Sequence, residues 1–223
     1  LKRRPAGSST EFAIIFPGQG SQSLGMASEV LRVYGGARKR FERASQILGY
    51  DLIELIEGGP VEDLDRTSYS QPAIYTASIA WFDALQDTWK RTGRAMQPIA
   101  VAGHSSGQIA AVVAAGALDF EDGLRLVEAR GRLMHAADQG RPGGMASIIG
   151  LRNRAVNALV GEAAQDDTLV VANENCPGHI VVSGDEGALR RLMRSAEEQG
   201  ARRVVRLPIS IASHSPLMKQ AQE

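Results

Sequence analysis

The pattern Gly-x-Ser-x-Gly at residues 103–107 is the part of this sequence best suited to chemistry. A serine hydroxyl becomes an effective nucleophile when a base accepts its proton, and it must also project from the backbone to reach a carbonyl carbon. In a nucleophile elbow the serine sits on a strained turn between a strand and a helix, and its close neighbours lack side chains. The pattern therefore predicts that Ser105 is a nucleophile and that Gly103 and Gly107 allow the turn to form.

The residues on either side of this pattern favour the functional interpretation over a chance loop. Three fixed positions are not rare in a chain with 24 glycines. However, the apolar run Ile99–Ala102 precedes the motif and the alanine-rich segment Gln108–Ala115 follows it, which predicts the order strand, turn, helix. A helix that starts near Ser106 would direct N–H groups and the positive end of its dipole at the site, where they can stabilise an oxyanion.

The sequence offers four histidines as the base. His104 is disfavoured because neighbouring residues on a strand point to opposite faces. His135 lies on a predicted helix among polar residues and His179 lies beside a turn, so both are expected to be ordinary surface or cap groups. His214 follows a predicted strand in a loop rich in serine and proline, and such loops often carry catalytic groups. His214 is therefore the favoured base.

Hydrophobic patterning predicts an α/β protein. Short apolar runs between turn residues predict strands, and apolar residues at three-to-four spacing predict helices. Strands are expected at residues 12–16, 99–102, 145–149, 169–173, 179–183 and 203–207, and helices within 26–56, from Ser70 through Leu85, and at 108–115, 120–137, 152–164 and 186–199. The order βαββαβ in the second half is that of a ferredoxin-like subdomain.

A domain division follows from these elements. Residues 1–10 are basic and polar, and we expect a flexible tail there. Residues 11–140 are expected to form a large α/β-hydrolase-like domain with a parallel sheet and the nucleophile elbow. Residues 141–207 are expected to form an inserted ferredoxin-like subdomain, and residues 208–223 return to the large domain.

Composition excludes several classes of function. Lysine plus arginine and aspartate plus glutamate number 25 each, so no net field attracts nucleic acid or an anionic membrane. No apolar run approaches the roughly 20 residues that span a bilayer. Cys176 is the single cysteine, which permits no intrachain disulfide and fits a reducing cytoplasm, and we expect it to pack rather than react.

Five motifs, in order, resemble those of malonyl-CoA:acyl carrier protein transacylases and of the acyltransferase domains of polyketide synthases. They are Phe16–Gln22, Gly103–Gly107, Glu128–Gly131, Asn173–Gly178 and Ala212–Met218. The resemblance covers the chain from Phe12 to Met218, which makes it far more specific than the elbow alone. Members of that family run well past the catalytic histidine, so the large domain is expected to lack its closing strand and helix here.

The resemblance implies the chemistry. Ser105 attacks the thioester of an acyl-CoA while His214 accepts its proton, and the backbone N–H groups of Gln19 and Ser106 hold the oxyanion. The phosphopantetheine thiol of acyl carrier protein then takes the acyl group from the serine. This ping-pong sequence implies no metal and no redox cofactor.

The resemblance also implies the substrate class. Arg130 would bind the free carboxylate of malonyl-CoA through two parallel hydrogen bonds. His104, Asn175 and Ser213 are further expected substrate-binding residues. Ser213 precedes the base at a position that correlates with acyl choice in polyketide synthases, so malonyl is preferred and methylmalonyl stays open, since one methyl group is worth about 1–3 kcal/mol.

Two other functions stay open at this point. The same serine and histidine would serve a hydrolase that releases the acyl group to water, although Arg130 and a carrier requirement favour transfer. A catalytically silent module that only docks carrier protein is the non-enzyme alternative, and the intact serine and histidine argue against it. Contact with the carrier protein is expected through a local basic patch, for which the candidates are Arg152, Arg190, Arg191 and Arg194, although each could equally be a solvated helix charge.

Overall fold

The computed structural model describes residues 11–137, 142–209 and 211–222. The expected tail at 1–10 and the expected boundary between residues 140 and 141 lie outside the described residues. The strands are β1 (Ala13–Phe16), β2 (Ala100–Gly103), β3 (Gly143–Ile149), β4 (Leu169–Cys176), β5 (His179–Asp185) and β6 (Arg203–Arg206). The helices are α1 (Ser28–Val33), α2 (Gly35–Leu48), α3 (Leu52–Gly58), α4 (Val61–Leu64), α5 (Thr67–Arg91), α6 (Gly107–Ala114), α7 (Phe120–Ala137), α8 (Asn153–Ala164), α9 (Glu186–Glu198) and α10 (Lys219–Gln222), with a 3₁₀ helix at Pro216–Met218.

The chain divides into two compact units. The first contains the residues up to Leu64 together with Ser70–Glu128, and the second contains Asp65–Tyr69 and the residues from Ala129 onward. Each unit has its own sheet, and the sequence correctly predicts a mixed α/β protein with a parallel sheet and a second sheet.

The sheet of the first unit is parallel. β1 pairs with β2 in the register Ala13↔Ala100 to Phe16↔Gly103. This register places the carboxyl ends of both strands, and the loops that follow them, at one edge of the sheet. The core beneath is formed by fully buried side chains of the surrounding helices, which include Phe41, Leu52, Ile56, Leu64, Ile79 and Leu124.

The helical pattern of residues 26–56 belongs to three helices, α1, α2 and α3. α2 ends at Gly49, whose φ of 79° is the left-handed conformation that glycine adopts at little cost. The next helix begins after Asp51, whose side chain accepts a hydrogen bond from the backbone N–H of Glu54 at 3.0 Å. The helical prediction is confirmed, and the breaks occur at residues suited to ending and starting helices.

The predicted start of a helix at Ser70 is wrong by three residues. α5 begins at Thr67, so Pro72 lies inside the helix and not near its first position. A proline there removes one hydrogen bond of the helical ladder. Thr67, Ser70 and Gln71 are all buried, so tertiary packing of this turn outweighs the local preference of proline.

The sheet of the second unit has the order β4-β5-β3-β6, and each neighbouring pair is antiparallel. α8 and α9 cover one face, where their apolar stripes pack on alternate strand residues. That core contains Ala146, Ile148, Val156, Leu159, Ile180, Leu189 and Leu192. β4 runs three residues past its predicted end, because irregularities after Val171 and Glu174 let it continue its pairing with β5.

The other face of this sheet carries a smaller apolar cluster. Met145 and Val181 of the sheet pack there with Met134 of α7 and with Ile209 and Ile211 of the segment that follows β6. This cluster anchors the segment that leads to His214. None of the helices in the described ranges is both long enough and apolar enough to cross a membrane.

A matched pair of glycine substitutions tests this packing. An added Cβ at Gly184 would lie 2.1 Å from the backbone oxygen of Thr168, whereas one at Gly161 in α8 meets nothing within 4 Å. We expect Gly184→Ala to lower the free energy of unfolding by about 1–3 kcal/mol through overpacking. Gly161→Ala should raise it by roughly 0.5–1 kcal/mol by restricting the unfolded chain. Urea unfolding of both variants measures this, and equal changes would contradict the described contact between β4 and β5.

Candidate active site

Ser105 occupies a strained turn between β2 and α6. Its φ is 51°, in the left-handed region that costs a residue with a side chain about 1–2 kcal/mol. Backbone hydrogen bonds close the turn, since Gly107 N–H donates to His104 O at 2.9 Å and Gln108 N–H donates to Ser105 O at 3.1 Å. The turn therefore holds Ser105 in a backbone conformation that is unfavourable for a serine.

The two glycines of the motif are required by close backbone contacts. A Cβ at Gly103 would lie 2.1 Å from the carbonyl carbon of Gly107. A Cβ at Gly107 would lie 2.5 Å from the carbonyl oxygens of Phe16 and Pro17. The strand, turn and start of the helix therefore fit together only without side chains at these two positions, as the motif predicts.

The loop after β1 packs against this turn. A Cβ at Gly18 would lie 2.3 Å from the backbone oxygen of His104, and His104 N–H donates to Phe16 O at 3.0 Å. These contacts bring the loop that carries Gln19 next to the turn that carries Ser105. Ser106 is buried directly before α6, so the positive end of the helix dipole lies at this turn. The two backbone donors expected from the resemblance thus lie on two adjoining loops.

In the second unit, a cavity of about 580 Å³ is lined by both Arg130 and His214. Arg130 comes from α7, and Met134 lies one turn further along the same helix in the same lining. The remaining wall is formed by the segment after His214, which includes Ser215, Pro216 and Met218. The expected carboxylate-binding residue and the expected base therefore face one space.

The loop around His214 is ordered by local hydrogen bonds. His214 has a φ of 60°, a second left-handed conformation outside glycine. Ser215 Oγ donates to Ala212 O at 2.6 Å and accepts from Leu217 N–H at 3.2 Å, so this serine caps the following 3₁₀ helix. Ser213 is buried and the imidazole of His214 is exposed. The backbone thus presents the base outward.

Arg130 is half-buried, and burial lowers the pKa of its guanidinium from the ordinary value. Arginine stays charged even so, because its ordinary pKa lies far above neutral pH. A cation with little competing water binds an anion more strongly than an exposed one. Gly131 allows α7 to lie close to the first residue of α5, because a Cβ on Gly131 would lie 2.7 Å from the backbone oxygen of Thr67.

Asn175 and His179 form a second polar group in the second unit. His179 Nε2 lies 3.0 Å from Ser147 Oγ and 3.4 Å from Asn175 Nδ2. Asn175 is exposed on β4, while His179 is half-buried. The sequence predicts an ordinary surface or cap group at His179. Its contact with the buried Ser147 depends on strand register, which cannot be read from the sequence alone. Cys176 is exposed, so the expectation that it packs is wrong.

The expected site residues divide between the two units. Gln19, His104, Ser105 and Ser106 belong to the first, and Arg130, Asn175, Ser213 and His214 belong to the second. Within the described ranges, no group of three or more histidine, cysteine, aspartate or glutamate side chains is arranged to hold a metal ion.

Comparison with known proteins identifies the family. A family model described as "Acyl transferase domain" matches residues 13–223. The chain belongs to the acyl transferase domain family. Among curated members, it is 42% identical over 214 residues to the malonyl CoA-acyl carrier protein transacylase of Salmonella typhimurium, covering 96% of this chain and 68% of that one. The transacylase of Haemophilus influenzae is 40% identical, with 96% and 67% covered.

This chain is also similar to solved structures of malonyl transacylases. The crystal structure of malonyl-CoA:acyl carrier protein transacylase from Xanthomonas oryzae pv. oryzae is similar with a TM-score of 0.87 and 42% identity, covering 96% of this chain and 67% of that one. A malonyl-transacylase in complex with a type II polyketide synthase acyl-carrier protein has a TM-score of 0.87 and 40% identity, with 95% and 67% covered. The chain thus spans about two thirds of the length of these relatives.

The strain at Ser105 can be measured through stability. Glycine adopts a φ of 51° without penalty, so we expect Ser105→Gly to unfold with a free energy about 1 kcal/mol higher than Ser105→Ala. The same pair at Ser195, inside α9, should show the opposite order by about 1 kcal/mol, because glycine weakens a helix. Urea unfolding of the four variants decides this. An advantage of alanine at both positions would rule out a left-handed Ser105.

Proposed function

We propose that this chain transfers a malonyl group from malonyl-CoA to the phosphopantetheine thiol of acyl carrier protein through an acyl-serine at Ser105. The observation that carries this proposal is Ser105 at a φ of 51° between β2 and α6, in a chain of the acyl transferase domain family. The relatives in Salmonella typhimurium and Haemophilus influenzae carry the name of this activity.

The reaction proceeds in two halves. Ser105 Oγ attacks the thioester carbon as His214 accepts its proton, and the backbone N–H groups of Gln19 and Ser106 hold the tetrahedral oxyanion. The C–S bond then breaks, and His214 returns the proton to the departing thiolate. In the second half the carrier thiol gives its proton to His214 and attacks the acyl-serine, and Ser105 recovers a proton as it leaves. These steps require no metal and no redox cofactor.

Arg130 selects the acyl group. The cavity that it shares with His214 would hold the malonyl carboxylate against the half-buried guanidinium while the thioester approaches the base. Asn175 and His104 are proposed to bind the remainder of the substrate. Ser213 is buried beside His214, and its side chain is proposed to determine whether an α-methyl group fits. Methylmalonyl would use the same carboxylate contact, so the distinction between the two rests on that methyl alone.

The acceptor is proposed to be an acyl carrier protein. The solved structure of a malonyl-transacylase in complex with its acyl-carrier protein supports this class of partner. Of the four candidate arginines, Arg190 pairs with Glu186 at 2.9 Å and Arg191 pairs with Asp167 at 2.7 Å. Arg152 and Arg194 are exposed, and we propose that they contact the carrier.

The finer description of the fold is also a proposal. The strand order β4-β5-β3-β6, antiparallel throughout, supports a ferredoxin-like subdomain at residues 141–207. The parallel pair β1 and β2 with its nucleophile turn supports an α/β-hydrolase-like large domain at residues 11–140, to which residues 208–223 return. A cytoplasmic location fits the single cysteine.

A transfer assay tests the function. With malonyl-CoA and carrier protein bearing phosphopantetheine, we expect malonyl-carrier to accumulate with one CoA released per malonyl transferred. Carrier protein without phosphopantetheine and the Ser105→Ala variant are the controls, and neither should give product. Free malonate in place of malonyl-carrier would indicate a hydrolase. Carrier binding without CoA release would indicate a docking module.

Replacement of Arg130 tests the carboxylate contact. Loss of charge-assisted hydrogen bonds costs about 1.5–3 kcal/mol, so Arg130→Ala should lower the preference for malonyl-CoA over acetyl-CoA by roughly 10- to 100-fold. Arg130→Lys should fall between, because lysine lacks the planar fork. Arg132→Ala, an exposed arginine on the same helix, is the matched control. Competition between the two acyl-CoAs measures the ratio, and an unchanged ratio in Arg130→Ala would exclude this role.

A further inference from the structure

Arg206, the last residue of β6, is the centre of a hydrogen-bond network that neither the motifs nor the proposed reaction includes. Its side chain is 32% exposed. Four of its five partners are backbone carbonyl oxygens. Nη1 donates to the oxygens of Met145 at 3.0 Å, Leu207 at 2.9 Å and Ile209 at 3.1 Å, and Nη2 donates to Gly143 O at 3.1 Å and Glu186 Oε2 at 3.2 Å.

These partners belong to three different segments of the second unit. Gly143 and Met145 lie at the start of β3, and Glu186 is the first residue of α9. Leu207 and Ile209 belong to the segment that leads from β6 to His214. The two terminal nitrogens of the planar guanidinium carry four N–H bonds and can serve all five acceptors when one N–H is shared between two oxygens, whereas a lysine has three donors on a single atom.

The backbone is shaped to receive this side chain. A Cβ on Gly144 would lie 1.8 Å from Nη2 and 2.3 Å from Cζ of Arg206, so a side chain at this position would displace the guanidinium from its present place. A Cβ on the adjacent Gly143 would lie 3.1 Å from the Cβ of Ala212. The strand that accepts hydrogen bonds from Arg206 therefore also lies against the residue two positions before His214.

Two residues between Arg206 and His214 are held by packing. Ile209 and Ile211 are buried in the cluster that contains Met134, and Met134 lines the cavity shared by Arg130 and His214. A shift of the Leu207 or Ile209 backbone would therefore be transmitted through these packed side chains to the loop of the base.

We propose that Arg206 is a positioning residue for His214: its guanidinium fixes the carbonyls of Leu207 and Ile209 against the start of β3 and so sets where the imidazole accepts the proton of the nucleophile. This inference rests on the proposed function of His214. Glu186 holds the guanidinium from the other side, and its own pKa is lowered chiefly by a hydrogen bond from Arg190 and also by Arg206.

The test follows acyl-enzyme formation from malonyl-CoA in single-turnover mixing, with CoA release as the signal. The variants are Arg206→Met, which keeps the length of the side chain without its donors, and Arg206→Lys, which keeps the charge. Arg154→Met is the control, because Arg154 is an exposed arginine on α8 of the same unit and belongs neither to the proposed site nor to the candidate carrier contacts. The burst amplitude counts the folded, competent enzyme, and the rate constant reports the geometry of the base.

A displacement of about 1 Å costs on the order of 100-fold in rate, so we expect the acylation rate constant of Arg206→Met to fall by about that factor with the KM for malonyl-CoA nearly unchanged. Arg206→Lys should recover part of the loss and Arg154→Met should match the original chain. An unchanged rate constant, or a fall in burst amplitude alone, would overturn the proposal. If Arg206→Met does not fold, a normal rate constant in Arg206→Lys overturns it and a reduced one supports it. Absence of acyl-enzyme from the original chain would instead reject the proposed function.

Discussion

The site depends first on one backbone constraint, the left-handed conformation of Ser105. That conformation is unfavourable for a serine, and it persists because the chain on both sides is fixed by contacts that leave no room for a Cβ at Gly103 or Gly107. The same contacts bring the loop of Gln19 against the turn. The proposed nucleophile and the loop of a proposed oxyanion donor are thus placed by close packing of main chain on main chain.

The two proposed site residues of the second unit that share a cavity are positioned by different means. Arg130 and His214 share a cavity in the second unit, where one is carried by a long helix and the other by a loop that continues from β6. A loop lacks the internal hydrogen bonds of a helix, so its geometry depends on external anchors. Ser215 adds a hydrogen bond to Ala212 O within the loop, and the buried side chains of Ile209 and Ile211 pack in the apolar cluster of the sheet. The guanidinium of Arg206 donates hydrogen bonds to the carbonyl oxygens of Leu207 and Ile209.

Local pattern predicts much of this structure. The sequence predicts a helix at residues 120–137 and α7 has those bounds, since Asp119 accepts a hydrogen bond from the first turn and the apolar stripe of the helix is buried. The Gly-x-Ser-x-Gly motif also lies between a strand and a helix, as predicted. The failures occur where contacts between distant residues decide the structure. α5 starts before Pro72 because its first turn is buried, and the contacts of His179 with Ser147 and of Arg206 with Met145 join strands far apart in sequence. Such contacts depend on register and packing, which single residues do not reveal.

Peptide mapping of the protein, after mixing with malonyl-CoA and quenching in acid, tests whether Ser105 carries the acyl group. We expect a malonyl group on the peptide that contains residues 103–107, located on Ser105 by fragmentation. Its neighbour Ser106, a buried serine with an ordinary helical φ, should carry none. A malonyl group on Ser106 or on any residue other than Ser105 would contradict the claim that the strained turn presents the nucleophile.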